Sequence, residues 1–270
     1  MEISDLEFQR LVEYIYGNYG INLKEKRVLV CGRLQAMVSK YGCEDFAEYF
    51  DQVLKDMTME MQYELVNRLT TNHTFFAREE AHFQFLKEEI LPYITEKNGR
   101  ERDIRIWSAG CSSGEEPYTI AMVIHDYFGG IRNGWDTKVL ATDISARVLS
   151  QAKEGIYQPE QLGKISESYR KRYFQLTEDG GYRVNDEIRK EVVFRSFNLM
   201  NERFPFKKKF HLIFCRNVMI YFDKETKQKL VKKYYDSLES GGYLFIGHSE
   251  TLNGINSEFK YVKPSIYRKL

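Results

Sequence analysis

Apolar residues recur at helical intervals over the first 70 or so residues. Ser4-Asp-Leu-Glu7 has the spacing of a capping box, and Phe8, Leu11, Val12, Ile15 and Tyr19 follow three and four apart, which predicts an amphipathic opening helix. Similar patterns run through Val28 to Val38, Phe46 to Leu54 and Met59 to Leu69, so this region reads as all-helical. After about residue 100 the period changes. Short β-type runs at Ile104 to Trp107, Lys138 to Ala141, Val192 to Arg195, His211 to Cys215 and Gly242 to Ile246 alternate with helical stretches. That alternation predicts an α/β fold with a parallel, doubly wound sheet. Two places break it. The charged, turn-rich span Gln161 to Val193, with Asp179-Gly-Gly181 between short β-prone pieces, predicts a small inserted hairpin subdomain. At the end of the chain, Tyr243 to His248 and Ser265 to Lys269 are expected to pair as an antiparallel hairpin with no helix between them.

Composition adds bounds. With 43% apolar and 29% charged residues the chain is an ordinary globular protein, and 270 residues suit two unequal domains. The boundaries expected are 1–75 for a helical domain and 76–270 for the sheet domain, with the insertion at about 161–193. The longest apolar runs, such as Ile120 to Ile124, fall far short of the roughly 20 residues that cross a bilayer. The segment Met1 to Asp5 has no basic leader character, so a cytoplasmic protein without membrane insertion is expected. Cys31, Cys43, Cys111 and Cys215 form no Cys-x-x-Cys pair and read as reduced thiols, and no metal site is expected. The net charge of +1 hides an uneven distribution. Lys24, Lys26, Arg27, Arg33 and Lys40 face only Glu25, and the next stretch, from Glu44 to Glu64, is acidic. Such a run is either a solvated helix face or a basic surface that steers an acidic partner.

The segment Ile104 to Met122 carries the most chemistry. In open α/β sheets ligands sit beyond the carboxyl ends of the strands, and Ser108-Ala-Gly-Cys-Ser-Ser-Gly114 occupies that position. Ala109, Gly110 and Gly114 remove side-chain bulk, and Ser112 or Ser113 is placed to cap the helix beginning near Glu115. The turn lacks Gly-x-Gly-x-x-Gly, and Glu115-Glu116 would repel phosphate at a helix N-terminus. The acids suit a cationic ligand, or they complement the helix dipole. Asp143 ends the next strand, where a carboxylate accepts ribose hydroxyls or caps a helix. Asn198 offers an amide to an adenine edge, and Asn217 follows Arg216 at the end of the His211 strand. Tyr221 and Phe222 belong either to that cleft or to the aromatic core. The linker Thr70 to Arg78 is suited to form a lid over a cofactor, or to be a turn in which Asn72 or Thr74 starts the next helix.

Taken together, Asn72 to Arg78, Trp107 to Tyr118, Ala141 to Ile144, Asn198-Leu199, Phe214 to Phe222 and Gly247-His-Ser-Glu250 resemble the chemotaxis receptor methyltransferase family (CheR) over nearly the whole chain. The resemblance implies a class I S-adenosylmethionine-dependent methyltransferase fold with a mixed sheet, an N-terminal helical domain and an inserted β-subdomain. It implies that glutamates on the cytoplasmic helices of chemoreceptors are methylated, with S-adenosylhomocysteine as co-product. Carried over by position, Asn72, Thr74, Arg78, Ala109, Glu115, Asp143, Asn198, Leu199, Arg216 and Asn217 form the cofactor shell, and Arg78 and Tyr221 flank the transferred methyl. The basic residues Lys24, Lys26, Arg27 and Arg33 are expected to dock the receptor, and a monomer is expected. Two features depart from the family pattern. Phe75-Phe76 are separated from the arginine by Ala77, so packing against Arg78 is expected to differ, and the Thr177 to Gly181 loop is short for gripping a receptor tail peptide.

A glutamate is ionised at neutral pH, its reference pKa being about 4.3, so attack on a sulfonium methyl needs no general base. In-line placement is worth roughly 7–11 kcal/mol against about 1 kcal/mol for one hydrogen bond, so positioning should dominate. A nucleobase substrate is not expected, because the near-neutral chain has neither a uniform basic bias nor an Asn-Pro-Pro-Tyr-like loop.

Overall fold

The computed structural model describes residues 2–70, 73–131, 134–163 and 165–270. Four helices come first: α1 (Asp5–Tyr19), α2 (Arg27–Lys40), α3 (Phe46–Lys55) and α4 (Glu60–Leu69). The Ser4 capping box forms, with Glu7 N–H donating to Ser4 Oγ and Ser4 N–H to the Glu7 carboxylate. No helix starts at Thr74, and Asn72 lies outside the described residues. The next, α5 (Glu80–Phe85), runs through a π-turn at Leu86–Ile90 into α6 (Leu91–Lys97). The alternating region follows as β1 (Ile106–Ala109), α7 (Glu115–Tyr127), β2 (Val139–Asp143), α8 (Ala146–Glu154), β3 (Ile156–Tyr157), α9 (Glu167–Tyr173), β4 (Phe174–Leu176) and β5 (Tyr182–Val184). It ends with α10 (Asp186–Arg189), β6 (Val192–Ser196), β7 (Phe210–Cys215), α11 (Lys224–Ser237), β8 (Leu238–Ile246), β9 (Lys260–Lys263) and β10 (Ile266–Arg268). Among the described residues no helix is long and apolar enough to cross a membrane.

The main sheet has the order β6-β2-β1-β7-β8-β10-β9. Its first five strands are parallel and β10 runs against both neighbours. The expected pairing of Tyr243 and Ser265 regions occurs, but not as a hairpin. Between them the chain inserts β9, which takes the sheet edge, so the tight turn joins β9 to β10. The order reverses at β1, whose neighbours β2 and β7 lead to opposite sides of the sheet, and this opens a crevice at the carboxyl ends. The small second sheet, β3-β5-β4, starts before Gln161 because its first strand is only Ile156–Tyr157, too short to register as a pattern. The Thr177 to Gly181 connection is tight, with Thr177 N–H bonded to Gly181 O.

The helical region docks on the sheet domain through specific polar contacts. Tyr16 Oη donates to Asp223, the N-cap of α11, at 2.8 Å, and Asn67 Nδ2 donates to Ser145 Oγ at 2.7 Å. Ile21 forms an isolated antiparallel bridge with Phe222, and Asn22 N–H donates to Tyr221 O at 2.9 Å. Beneath this junction lies Trp107, fully buried, with the rings of Phe197, Phe204, Phe206, Phe210 and Tyr234 centred 4.8–5.8 Å away. Its indole N–H donates to Thr142 Oγ1 at 2.8 Å, so β1 and β2 are tied by a side chain as well as by their ladder. Trp107→Ala should destabilise the chain by about 3–5 kcal/mol in denaturant unfolding, because a large cavity opens and Thr142 loses its donor. A loss below ~1 kcal/mol would show that the aromatic cluster collapses into the gap.

Candidate functional site

The carboxyl ends of β1, β2, β6 and β7 and the last turns of α1 and α4 enclose a cavity of about 280 Å³. This is at the small end of ligand-site volumes. The turn after β1 forms its floor. Gly110 has φ +88°, and a Cβ there would lie 2.5 Å from Val218 Cγ2, so glycine lets the loop after β7 come close. Gly110 and Cys111 both donate backbone N–H groups to Thr142 O, which holds the turn over the end of β2. The helix cap differs from expectation. Gly114, in the left-handed region, is the N-cap of α7, and Ser113 Oγ instead donates to the Glu115 carboxylate at 2.8 and 3.0 Å. Ser112 Oγ is buried on the cavity wall without a hydrogen-bond partner, which marks a place for a polar ligand atom.

Asp143 stands at the end of β2 on the cavity wall, accepting from Ser112 N–H at 2.9 Å and Ser145 N–H at 3.0 Å. Burial raises its pKa more than these amides lower it. A carboxylate has about four acceptor sites, so these amides leave room for a hydroxyl donor.

Glu115 and Glu116 part company. Consecutive helix residues point about 100° apart, so only one acid of the pair can face the cleft. Glu116 lines the cavity, whereas Glu115 is fully buried outside its lining and accepts from Ser113 and Gln161 Nε2. Of the two acids, Glu116 rather than Glu115 reaches the cavity. Burial raises the Glu116 pKa, opposed by Arg216 and by the Ser108 hydroxyl, which donates to it at 2.7 Å.

Arg216 is the hub of the site. Its guanidinium, 2% exposed, donates to Glu116 Oε2 at 3.0 Å, to Glu79 Oε2 at 3.2 Å and to the Arg78 carbonyl, and lies over the Phe83 ring. Burial works against ionisation of Glu79, but Arg216 and the His248 amide outweigh it and hold its pKa below the ordinary range. With both acids ionised, two carboxylates face one guanidinium. The buried excess is one negative charge, suited to a cation.

The remaining expected residues divide. Thr74, Arg78, Leu199, Asn217 and Tyr221 line the cavity. Arg78 donates to His73 O at 2.6 Å and lies over Phe75, while Phe76 is buried against Tyr157 and Phe174, so the two adjacent phenylalanines have different partners and Ala77 stands between Phe76 and Arg78. Asn198 also lines it, but its amide donates to Asn18 O and its carbonyl oxygen accepts from Met200 N–H, so much of its capacity ties α1 to the sheet edge. Ala109 is buried at the end of β1 and lies outside the cavity lining. Asn72 lies outside the described residues. Of the basic set, Arg27 pairs with Asp5 and Arg33 donates to the Arg68 and Leu69 carbonyls at the end of α4, leaving Lys24 and Lys26 as the exposed members.

Sequence reasoning weighed Glu116 only as one of an acidic pair and gave no site role to Glu79 or Glu250, nor to Tyr19, Ile21, Val66 and Asn67, four residues that line the cavity. The helical-domain residues carry only a core-like period, so no signal marked them. Glu250 had a signal in the Gly-His-Ser-Glu segment. Its buried carboxylate accepts from the backbone N–H groups of Gly247 (2.6 Å), Asn217 (2.9 Å) and Ile220 (3.0 Å). Gly247 lets this clamp close, since a Cβ there would lie 2.5 Å from Asn217 Nδ2. The loop carrying Arg216, Asn217 and Tyr221 is thereby pinned, with Asn217 held at φ +59°. Glu250→Ala should leave three amides unpaired and speed hydrogen exchange at Asn217 and Ile220 by on the order of tenfold, measured in the folded state. Unchanged exchange would mean that the loop holds itself.

Comparison with known proteins accords with this arrangement. Residues 72–268 match the family model described as CheR methyltransferase, SAM binding domain, and residues 6–70 match CheR methyltransferase, all-alpha domain. The chain is similar to the chemotaxis protein methyltransferase of Borreliella burgdorferi, 44% identical over 100% of this chain and 96% of the relative. It is 38% identical to a probable chemotaxis protein methyltransferase of Rhizobium etli over 93% and 94% of the two chains. With the chemotaxis protein methyltransferase of Salmonella typhimurium it shares 36% identity over 99% and 91%. With a nearly full-length match to its two family models and a doubly wound sheet whose turn after β1 floors an acid-lined cleft, the chain belongs to the CheR methyltransferase family.

Proposed function

We propose that the cavity binds S-adenosylmethionine and that the chain esterifies glutamate side chains on the cytoplasmic helices of chemoreceptors. The observation that carries this reading is the buried acidic excess at Glu116, Glu79 and Arg216, set opposite Asp143 and the unpartnered Ser112 hydroxyl. Glu116 suits the ammonium group, and Asp143 with Ser112 suits the ribose hydroxyls. Asn198, Leu199 and Thr74 line the space left for the base and its linker. We take the helical domain as residues 1–75 and the catalytic domain as 76–270, acting as a cytoplasmic monomer.

The bound sulfonium supplies an electrophilic methyl. A lone pair of the receptor carboxylate forms the new C–O bond, the C–S electron pair returns to sulfur, and methyl ester and S-adenosylhomocysteine leave. No proton moves, so the residues orient rather than titrate. Arg78 is placed to orient the incoming carboxylate, and a grip on both of its oxygens would hold back the nucleophile. Tyr221, on the short helical turn Met219–Tyr221, holds the other side, with its carbonyl fixed by Asn22. Lys24 and Lys26, exposed beside the same junction, suit an acidic receptor bundle.

Methyl-labelled cofactor and a receptor cytoplasmic fragment should yield base-labile label released as methanol. Tyr221→Phe should lower kcat by about tenfold or more with little change in cofactor affinity; unchanged turnover would remove Tyr221 from the mechanism. Cofactor affinity should also depend on pH. The Glu116 pKa is raised, and a cation favours its ionised form, so affinity should rise as pH climbs through that pKa and then level off. Titration calorimetry on Glu116→Gln should show weaker binding without this acid-side step; a step that persists would assign it to Asp143.

A further inference from the structure

Outside the cavity lining, Glu79, His82 and His248 each turn one ligand atom toward the others, all within 4.8 Å. His82 Nδ1 lies 3.5 Å from Glu79 Oε2, and His248 Nε2 lies 3.9 Å from the same oxygen. Tetrahedral coordination at zinc bond lengths of about 2.0–2.1 Å separates ligand atoms by roughly 3.4 Å. Two of the spacings, 3.5 and 3.9 Å, are close to that value, and the third, within 4.8 Å, closes by movement of the exposed His248 side chain. The second observation is independent of spacing: His82 is 1% exposed, yet neither ring nitrogen makes a well-aligned hydrogen bond, its polar neighbours being the Glu79 carboxylate and the Pro264 carbonyl. A buried imidazole without well-aligned partners is costly unless something else satisfies it.

We propose that Glu79, His82 and His248 form a site for a single divalent transition-metal ion of the zinc type, with water completing the coordination. The ligand chemistry suits such an ion, since imidazole and carboxylate are borderline-soft and hard donors respectively. Outer contacts of the kind that support metal ligands are in place. Glu79 Oε1 accepts from His248 N–H at 3.1 Å, its Oε2 accepts from Arg216, and the His82 ring packs on Phe245. His248, 53% exposed, gives the ion an entry path. Occupancy would join the segment carrying Arg78 and Glu79 to the turn carrying His248 and Glu250, two walls that otherwise meet through hydrogen bonds. The site is invisible in the sequence because its histidines come from α5 and from the loop after β8.

Calorimetry with Zn²⁺ alone on the full chain, followed by Co²⁺ absorption, tests this. One ion per chain should bind, with a d–d spectrum of nitrogen and oxygen ligation and no thiolate charge-transfer band. His248→Ala, at an exposed position that should not disturb folding, should weaken binding by at least tenfold, and His82→Ala should do the same with its far-UV circular dichroism checked. Absence of stoichiometric binding, affinity unchanged in His248→Ala, or a thiolate band pointing to the cysteines would each overturn the site.

Discussion

The site depends on one buried cation. A guanidinium at the end of β7 is too costly to remove from water unless it is compensated, and Arg216 has compensation from two directions: Glu116 on the first turn of α7 and Glu79 before α5. These three residues come from parts of the chain far apart in sequence, so the ion network sets where the segment after the helical domain meets the sheet. Removing one member of such a network leaves an uncompensated charge and typically costs about 3–5 kcal/mol. The two acids also respond differently to the same guanidinium: the Glu79 pKa is held below the ordinary carboxylate range, while burial raises that of Glu116 despite Arg216. That asymmetry leaves Glu116 as the acid whose ionisation a cationic ligand would complete.

The helical domain is part of this wall rather than an appendage. Tyr19, Ile21, Val66 and Asn67 face the cavity, and the Ile21–Phe222 bridge fixes the backbone beside Tyr221. Glu250 pins the opposite end of the same loop. Backbone strain collects where these restraints meet: Ala77, Glu79, Ser112 and Asn217, all non-glycine, have positive φ. Each such residue costs on the order of 1 kcal/mol, which persists only because the surrounding contacts over-determine it.

Much of this was legible in the chain, for reasons that particular residues make plain. The strands after residue 100 and the helices before it follow from periodicity, and small residues at Ala109, Gly110 and Gly114 marked the turn. Periodicity could not say which of Glu115 and Glu116 faces the ligand, because that depends on where α7 begins, and Gly114 rather than a serine caps it. Nor could it separate Asn198 as an adenine contact from Asn198 as a tether to Asn18. Basic residues were visible, but the pairing of Arg27 with Asp5 and the hold of Arg33 on α4 are tertiary facts. Glu250 shows the same limit. A motif can flag a residue, while its task, accepting three amides from one loop, exists only after folding.

The geometry also bears on why the chemistry needs so little from titratable groups. Methyl transfer to a carboxylate neutralises two charges, so a wet or loosely ordered site would favour the separated ions over the transition state. What the protein contributes is dry walls and fixed dipoles prepared before the substrate arrives. Arg216, Glu79 and Glu250 hold the segments from which Arg78 and Tyr221 project, Arg216 through the Arg78 carbonyl and Glu250 through the Asn217 and Ile220 amides. The acids buried behind the cleft are thus better understood as its frame, which carries one more carboxylate than guanidinium.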